Sequence, residues 1–249
     1  MDSQAQKTLL ALNQQFYAQN ASSFSQTRRN IQAGVRRLIP TVPKEANVLD
    51  LGCGNGNFAL ALARSGFQGA YLGLDGSAAF LQEAQQALST LASKAIFRFQ
   101  KADLASSNWT QGLSISSFDC ITCFAVLHHL PGKALQQAIF MQSASLLKPG
   151  GQFILSAWQV LASPTLTARI LPWSSVGLAP EQLDPNDILL DWRAGPAGNS
   201  PAYRYVHVFT SEELISLGQA AGLSLSSECY SDGKNQRLSL YQVWIKPEA

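Results

Sequence analysis

The chain has 249 residues, 46% of them hydrophobic and 14% charged, a balance that excludes a disordered polypeptide and can build the core of one full α/β domain. A formal net charge of +2 is too small to argue for nucleic-acid binding by itself and does not exclude it. No apolar run is long enough to span a bilayer, and Met1-Asp2-Ser3-Gln4-Ala5-Gln6-Lys7 lacks the basic-then-apolar pattern of a signal peptide, so a cytoplasmic location is expected.

Leu9, Leu12 and Phe16 fall on one side of a helical pattern, which predicts a helix over Ser3–Tyr17. Ser23 or Ser25 is placed to cap a second helix running to about Leu38, with Pro40 as its stop. Apolar runs at Val48–Leu51, Tyr71–Leu74, Ile96–Phe99, Asp119–Val126 and Gln152–Trp158 read as strands. Helical segments at Phe58–Ser65, Ala78–Ser93 and Lys133–Leu147 fall between them, and such alternation implies a parallel sheet with helices on both faces. Lys148-Pro149-Gly150-Gly151 closes a helix and feeds a strand. From Leu161 to Ala202 the periodicity fades among Pro164, Pro172, Pro180, Pro185, Pro196 and Pro201, and this stretch, with Trp173 and Trp192, reads as a lid or binding insertion. Thr210-Ser211-Glu212-Glu213 then starts a capped helix, and Leu223–Cys229 and Leu238–Ile245 read as a closing strand pair.

Cys120 and Cys123 form a C-x-x-C, but inside an apolar strand, where positions i and i+3 face opposite ways. They read as buried small hydrophobes, and no metal site is expected.

The most informative run is Val48-Leu49-Asp50-Leu51-Gly52-Cys53-Gly54-Asn55-Gly56, a strand, an acid and a glycine turn, followed by a helical segment. Such a unit brings bare backbone close to a nucleotide-like ligand. Asp75, ending the next strand, is placed to accept from ribose hydroxyls. Gly54-x-Gly56-x-x-Ala59 also satisfies a relaxed dinucleotide fingerprint, so glycine spacing alone leaves two ligands open. Three features favour S-adenosylmethionine (SAM). Asp50 at the strand end can orient its cationic amino acid part, Asp103 before Leu104 can accept from an adenine amino group, and the closing antiparallel pair is unlike a dinucleotide half-domain.

Asp50 to Gly56, Gly73-Leu74-Asp75-Gly76-Ser77, Ala102-Asp103, Phe118-Asp119-Cys120-Ile121 and Leu147-Lys148-Pro149-Gly150-Gly151 stand in order, and together they resemble the class I SAM-dependent methyltransferases. The resemblance implies a Rossmann-like α/β fold, with a seven-stranded, mostly parallel sheet whose last strand is reversed. A narrower resemblance covers nearly the whole chain. Phe124-Ala125-Val126-Leu127-His128-His129-Leu130, the opening Phe16-Tyr17 with Phe24-Ser25-Gln26-Thr27-Arg28, Asp187–Trp192 and Tyr203–Phe209 resemble motifs of the tRNA wobble-uridine methyltransferases, which esterify a 5-carboxymethyl group. The chain departs from that family at Asp191, where proline is favoured, and after His129, where Pro131-Gly132-Lys133 replaces a Ser-Thr and basic run.

The domain reading is residues 1–40 as N-terminal helices capping the cofactor site, and 41–249 as the methyltransferase domain with a substrate-side insertion over 161–202. The expected cofactor residues are Tyr17, Asp50, Gly52, Gly54, Gly56, Asp75, Gly76, Ser77, Asp103, Leu104, Phe124 and His129. Arg28 and Arg204 are expected to clamp the acceptor, with Tyr205 and His207 beside them. A carboxylate acceptor is ionised at neutral pH and needs cations rather than a base, whereas a hydroxyl acceptor needs a base. The resemblance implies a tRNA anticodon as partner, and eukaryotic members of the family use a small zinc-binding activator subunit. A small carboxylic acid or phenol is the alternative acceptor, and a non-catalytic SAM-fold scaffold is a third reading.

Overall fold

The computed structural model describes residues 1–27, 30–115, 117–192 and 202–248, with backbone alone at 21–24, 26 and 27. Chain order begins with helices α1 (Ser3–Thr27) and α2 (Ala33–Leu38), then β1 (Asn47–Leu51), α3 (Asn57–Arg64), β2 (Ala70–Asp75), α4 (Ala78–Ser89) and β3 (Ile96–Lys101). It continues with β4 (Phe118–Phe124), α5 (Lys133–Leu146), β5 (Leu147–Trp158), α6 (Pro164–Thr167), β6 (Ile170–Leu171), β7 (Asp187–Trp192) and β8 (Ala202–His207). Helix α7 (Ser211–Ala220) and strands β9 (Ser224–Ser231) and β10 (Ser239–Ile245) complete it.

The main sheet runs β3-β2-β1-β4-β5-β10-β9. Its first five strands are parallel, and β10 runs antiparallel to both neighbours. This is the expected seven-stranded sheet with a reversed last strand. The order reverses between β1 and β4, and open α/β sheets leave a ligand crevice outside the strand ends at such a point.

Strand alternation divides the core in two. Leu49, Leu51, Leu72, Leu74, Ile121 and Cys123 pack on the face covered by α5 and α7, while Val48, Tyr71 and Cys120 pack under α2, α3 and α4. Cys120 and Cys123 therefore belong to different clusters, as their spacing requires. Gly218 of α7 lies so close to Trp244 of β10 that a Cβ would stand 2.4 Å from the indole.

The structure differs from the sequence reading in three places. Helix α1 does not stop at Tyr17 but continues to Thr27, and Ser25 Oγ bonds Glu83 at 2.6 Å instead of capping a new helix. The buried stripe Leu9, Asn13, Phe16 and Asn20 carries a single helical period through that point. Strand β5 starts at Leu147, with its register shifting against β4 where Gly150 (φ 72°) breaks the ladder. Within the expected insertion, β6 and β7 form a separate three-stranded antiparallel sheet with β8. No helix among the described residues is long and apolar enough to cross a membrane.

Candidate functional site

A cavity of about 840 Å3 opens where the glycine turn, the ends of β2, β3 and β4, and the inner side of α1 meet. That volume is at the upper end of small-molecule pockets and suits a nucleoside-sized ligand with an acceptor beside it.

The glycine turn forms its floor. Gly52, Gly54 and Gly56 all have left-handed φ (70°, 54° and 78°), and a Cβ on Gly52 would stand 2.3 Å from Val126. Gly52→Ala is expected to combine backbone strain with this collision and to abolish detectable cofactor binding, measured by calorimetry on a folded variant. Gly56 does not line the cavity. It leads into α3 and lets α4 approach, since a Cβ there would meet Ala84 at 2.7 Å.

Asp75 organises the turn. Its Oδ2 accepts from the Gly54 N–H at 2.9 Å, and its Oδ1 accepts from the Ser77 N–H at 2.8 Å. Burial raises its carboxyl above the ordinary value, and these two backbone donors oppose the rise. Gly76 and Ser77 follow on the cavity wall, and the Ser77 side chain caps α4 by accepting from the Phe80 N–H at 3.4 Å. Asp103 and Leu104 line the side beyond β3, where Asp103 Oδ1 accepts from the Ala105 N–H at 3.0 Å.

Asp50 is buried at the end of β1 and still lines the cavity. Tyr71 Oη donates to it at 2.6 Å and Thr122 Oγ1 at 2.7 Å. Burial outweighs both donors and pushes its carboxyl up to about 6. A cationic ligand favours the ionised carboxylate, so affinity rises with pH through about 6 and levels off above it. Below pH 6 the SAM affinity is expected to fall by up to about tenfold per pH unit, and an Asp50→Asn variant should lose that dependence.

The opposite wall comes from Phe124, Ala125, Val126 and His129 after β4, and from Leu10, Asn13, Gln14 and Tyr17 on α1. Ala125 holds a left-handed φ of 57°, with its N–H bonded to the Ser156 carbonyl at 3.1 Å and to Ser156 Oγ at 3.0 Å. Tyr17 Oη lies 2.8 Å from His129 Nε2. His129 Nδ1 lies 3.0 Å from the Tyr205 carbonyl oxygen.

Asn13 is a cavity-lining residue that the sequence reading missed. Its Nδ2 donates to the His129 carbonyl at 3.0 Å and the Tyr205 carbonyl at 3.2 Å, and its Oδ1 accepts from the Tyr205 N–H at 2.9 Å. One amide thus ties α1, β8 and the turn after β4 together, one helical turn from Tyr17. The available signal was a polar residue on an apolar helical stripe, which must find partners when buried.

The expected clamp does not assemble as one unit. Along β8, alternate side chains face opposite ways, so Arg204 cannot share a face with Tyr205 and His207. Tyr205 Oη donates to Asp187 Oδ1 at 2.8 Å, and His207 Nδ1 lies 2.7 Å from the same oxygen. Neither Tyr205 nor His207 lines the cavity, and both serve the packing of β8 against β7. Arg204 points the other way, into a box of aromatic rings, its Cζ 4.8 Å from Phe16, 5.1 Å from Trp158 and 4.8 Å from Trp192. Burial lowers its guanidinium from the ordinary value, and neighbouring Tyr17 opposes that shift. Arg28 lies outside the described residues.

The remaining expected cofactor residues, Tyr17, Asp50, Gly52, Gly54, Asp75, Gly76, Ser77, Asp103, Leu104, Phe124 and His129, all border this one cavity. The left-handed glycine turn and the buried carboxylates fit a cationic nucleoside. His/Cys/Asp/Glu clusters suited to a metal ion are absent among the described residues.

Comparison with known proteins agrees with this geometry. A methyltransferase-domain family model matches residues 23–228. A protein of Encephalitozoon cuniculi (strain GB-M1) that bears a methyltransferase name is 28% identical over 211 residues, covering 84% of this chain and 86% of that protein. The ubiquinone biosynthesis O-methyltransferase of Xanthomonas axonopodis pv. citri (strain 306) is 35% identical over 115 residues, covering 46% of this chain but only 44% of that enzyme. In fold, the chain is similar to the 1,6-didemethyltoxoflavin-N1-methyltransferase of Burkholderia thailandensis, solved with S-adenosylhomocysteine, at 16% identity and a TM-score of 0.66, covering 100% of this chain and 92% of that one. The chain thus belongs to the methyltransferase-domain family, and is a SAM-dependent methyltransferase of class I fold.

Proposed function

We propose that this methyltransferase esterifies a carboxylate, and that the carboxylate belongs to a 5-carboxymethyl group on the wobble uridine of tRNA. The observation that carries the carboxylate is Arg204, a buried guanidinium whose Nε and Nη1 have no hydrogen-bond partner among the described residues. Such donors in a low-dielectric box suit an anionic acceptor. The wobble uridine is supported by the motif resemblance from Phe16 to Phe209, and the small activator subunit comes from the same resemblance.

Bound SAM supplies an electrophilic methyl group on a sulfonium. The chain's part is to hold and align the acceptor. Asp50 and Asp75 hold the cationic nucleoside side, α1 with Asn13 and Tyr17 covers the cavity from water, and Arg204 holds the acceptor anion. A carboxylate needs no general base, and His129 Nε2 is already engaged by Tyr17.

The test is transfer of labelled methyl from SAM to tRNA containing 5-carboxymethyluridine, followed by mild alkali. Label that enters RNA and leaves as methanol is the expected result. Alkali-stable label overturns the carboxylate. Label appearing only on small carboxylic acids or phenols, with activator supplied, moves the acceptor to the alternative class.

A further inference from the structure

Arg204 is a buried cation whose Nε and Nη1 are left without hydrogen-bond partners among the described residues. It is only 2% exposed; three ring faces surround it, and the Tyr17 phenol and the Asp191 carboxylate act on it from nearby. The guanidinium itself does not border the cavity, whereas Tyr17 beside it does. The phenol is therefore the group through which the cation meets the cavity.

With a neutral imidazole at His129, the hydrogen bonds of that phenol have one direction. A carbonyl oxygen only accepts, so His129 Nδ1, 3.0 Å from the Tyr205 carbonyl, carries the proton. His129 Nε2 then has a lone pair, and Tyr17, 2.8 Å away, donates to it. With its proton committed to His129, the Tyr17 oxygen offers lone pairs to its other neighbours, and Arg204 is the cation among those described. Asn13 fixes both ends of this arrangement by bonding the His129 carbonyl and the Tyr205 backbone.

We propose that Tyr17 is the gate of an anion-binding subsite centred on Arg204: in the resting enzyme its oxygen stands where an acceptor oxygen comes to lie, and its outward turn opens the cavity to the guanidinium. His129 is a positioning residue that holds the gate closed. The ligand class is a carboxylate, whose two oxygens match the guanidinium fork. This inference rests on the carboxylate reading above.

The probe is acetate, titrated calorimetrically into the full chain loaded with S-adenosylhomocysteine. Tyr17→Phe removes the internal competitor and is expected to bind acetate about tenfold more tightly than the unmodified protein, in the range of one lost charge-assisted hydrogen bond. Arg204→Met, alone or combined with Tyr17→Phe, is expected to bind none. His129→Leu strips the anchor from Tyr17 and is expected to tighten acetate in the same direction, which covers the case of an unstable Tyr17→Phe protein. Equal or weaker acetate affinity in the gate variants, or binding that survives Arg204→Met, overturns the gate. Tighter acetate without any methyl ester on tRNA would leave the gate standing and discard the tRNA substrate. Ester formation with unaltered acetate affinity would discard the gate alone.

Discussion

Replacing Asp75 by alanine is expected to weaken SAM binding at least about a hundredfold, measured by calorimetry. Two effects add. The carboxylate is lost as acceptor for the ligand's ribose, and the Gly54 and Ser77 N–H groups lose the acceptor that shapes the turn. Hydrogen bonds to a charged group contribute about 1.5–3 kcal/mol each, and about 2.7 kcal/mol is a hundredfold. Asp75→Asn should fall between the two proteins, because one amide oxygen can still accept from one N–H while the NH2 faces a donor. Affinity within a few-fold of the unmodified enzyme in Asp75→Ala would remove this residue from the cofactor site.

Arg204→Met is expected to slow transfer to a carboxylate acceptor by about a hundredfold or more while making the folded protein more stable. Methionine keeps an unbranched, polarizable side chain among Phe16, Trp158 and Trp192, but removes a buried cation with unpaired N–H groups. Exchanging buried charge for a well-packed apolar side chain is often neutral or stabilising, here by about 1–2 kcal/mol once the lost cation–π attraction is deducted. For a chain of this size that is a rise in Tm of about 2–8 °C. On the acceptor side, losing a charge-assisted pair is expected to cost about a hundredfold or more in kcat/KM. The two readouts together separate the roles: a structural arginine would give a lower Tm, and a functional one a higher Tm with slowed transfer. Such opposition between stability and activity marks groups kept for function.

These expectations draw on different levels of the molecule. The five parallel strands with the helices between them, the glycine turn, Asp50 and Asp75 were legible in the amino-acid sequence, because each depends on local chemistry. An apolar strand followed by glycines at every second position can make only a few turns, and a carboxylate at a strand end reaches the same place in any open α/β sheet. The antiparallel closing pair was legible for the same reason, as two short apolar runs too closely spaced for a crossover helix, while the reversal of the last strand against the parallel sheet came from the family resemblance. What only the tertiary structure decided was which side chains share a space. Asn13 and Tyr17 are ordinary helical residues until α1 is laid across β8, more than 180 residues away in sequence. Arg204, Tyr205 and His207 look like one cluster along the chain, yet strand alternation sends Arg204 toward the aromatic box and its neighbours toward Asp187. Gly56 looks like part of the ligand cradle, and the packing of α4 through Ala84 claims it instead. Local pattern determines the elements, while the register and packing of distant elements determine which of their faces become a site.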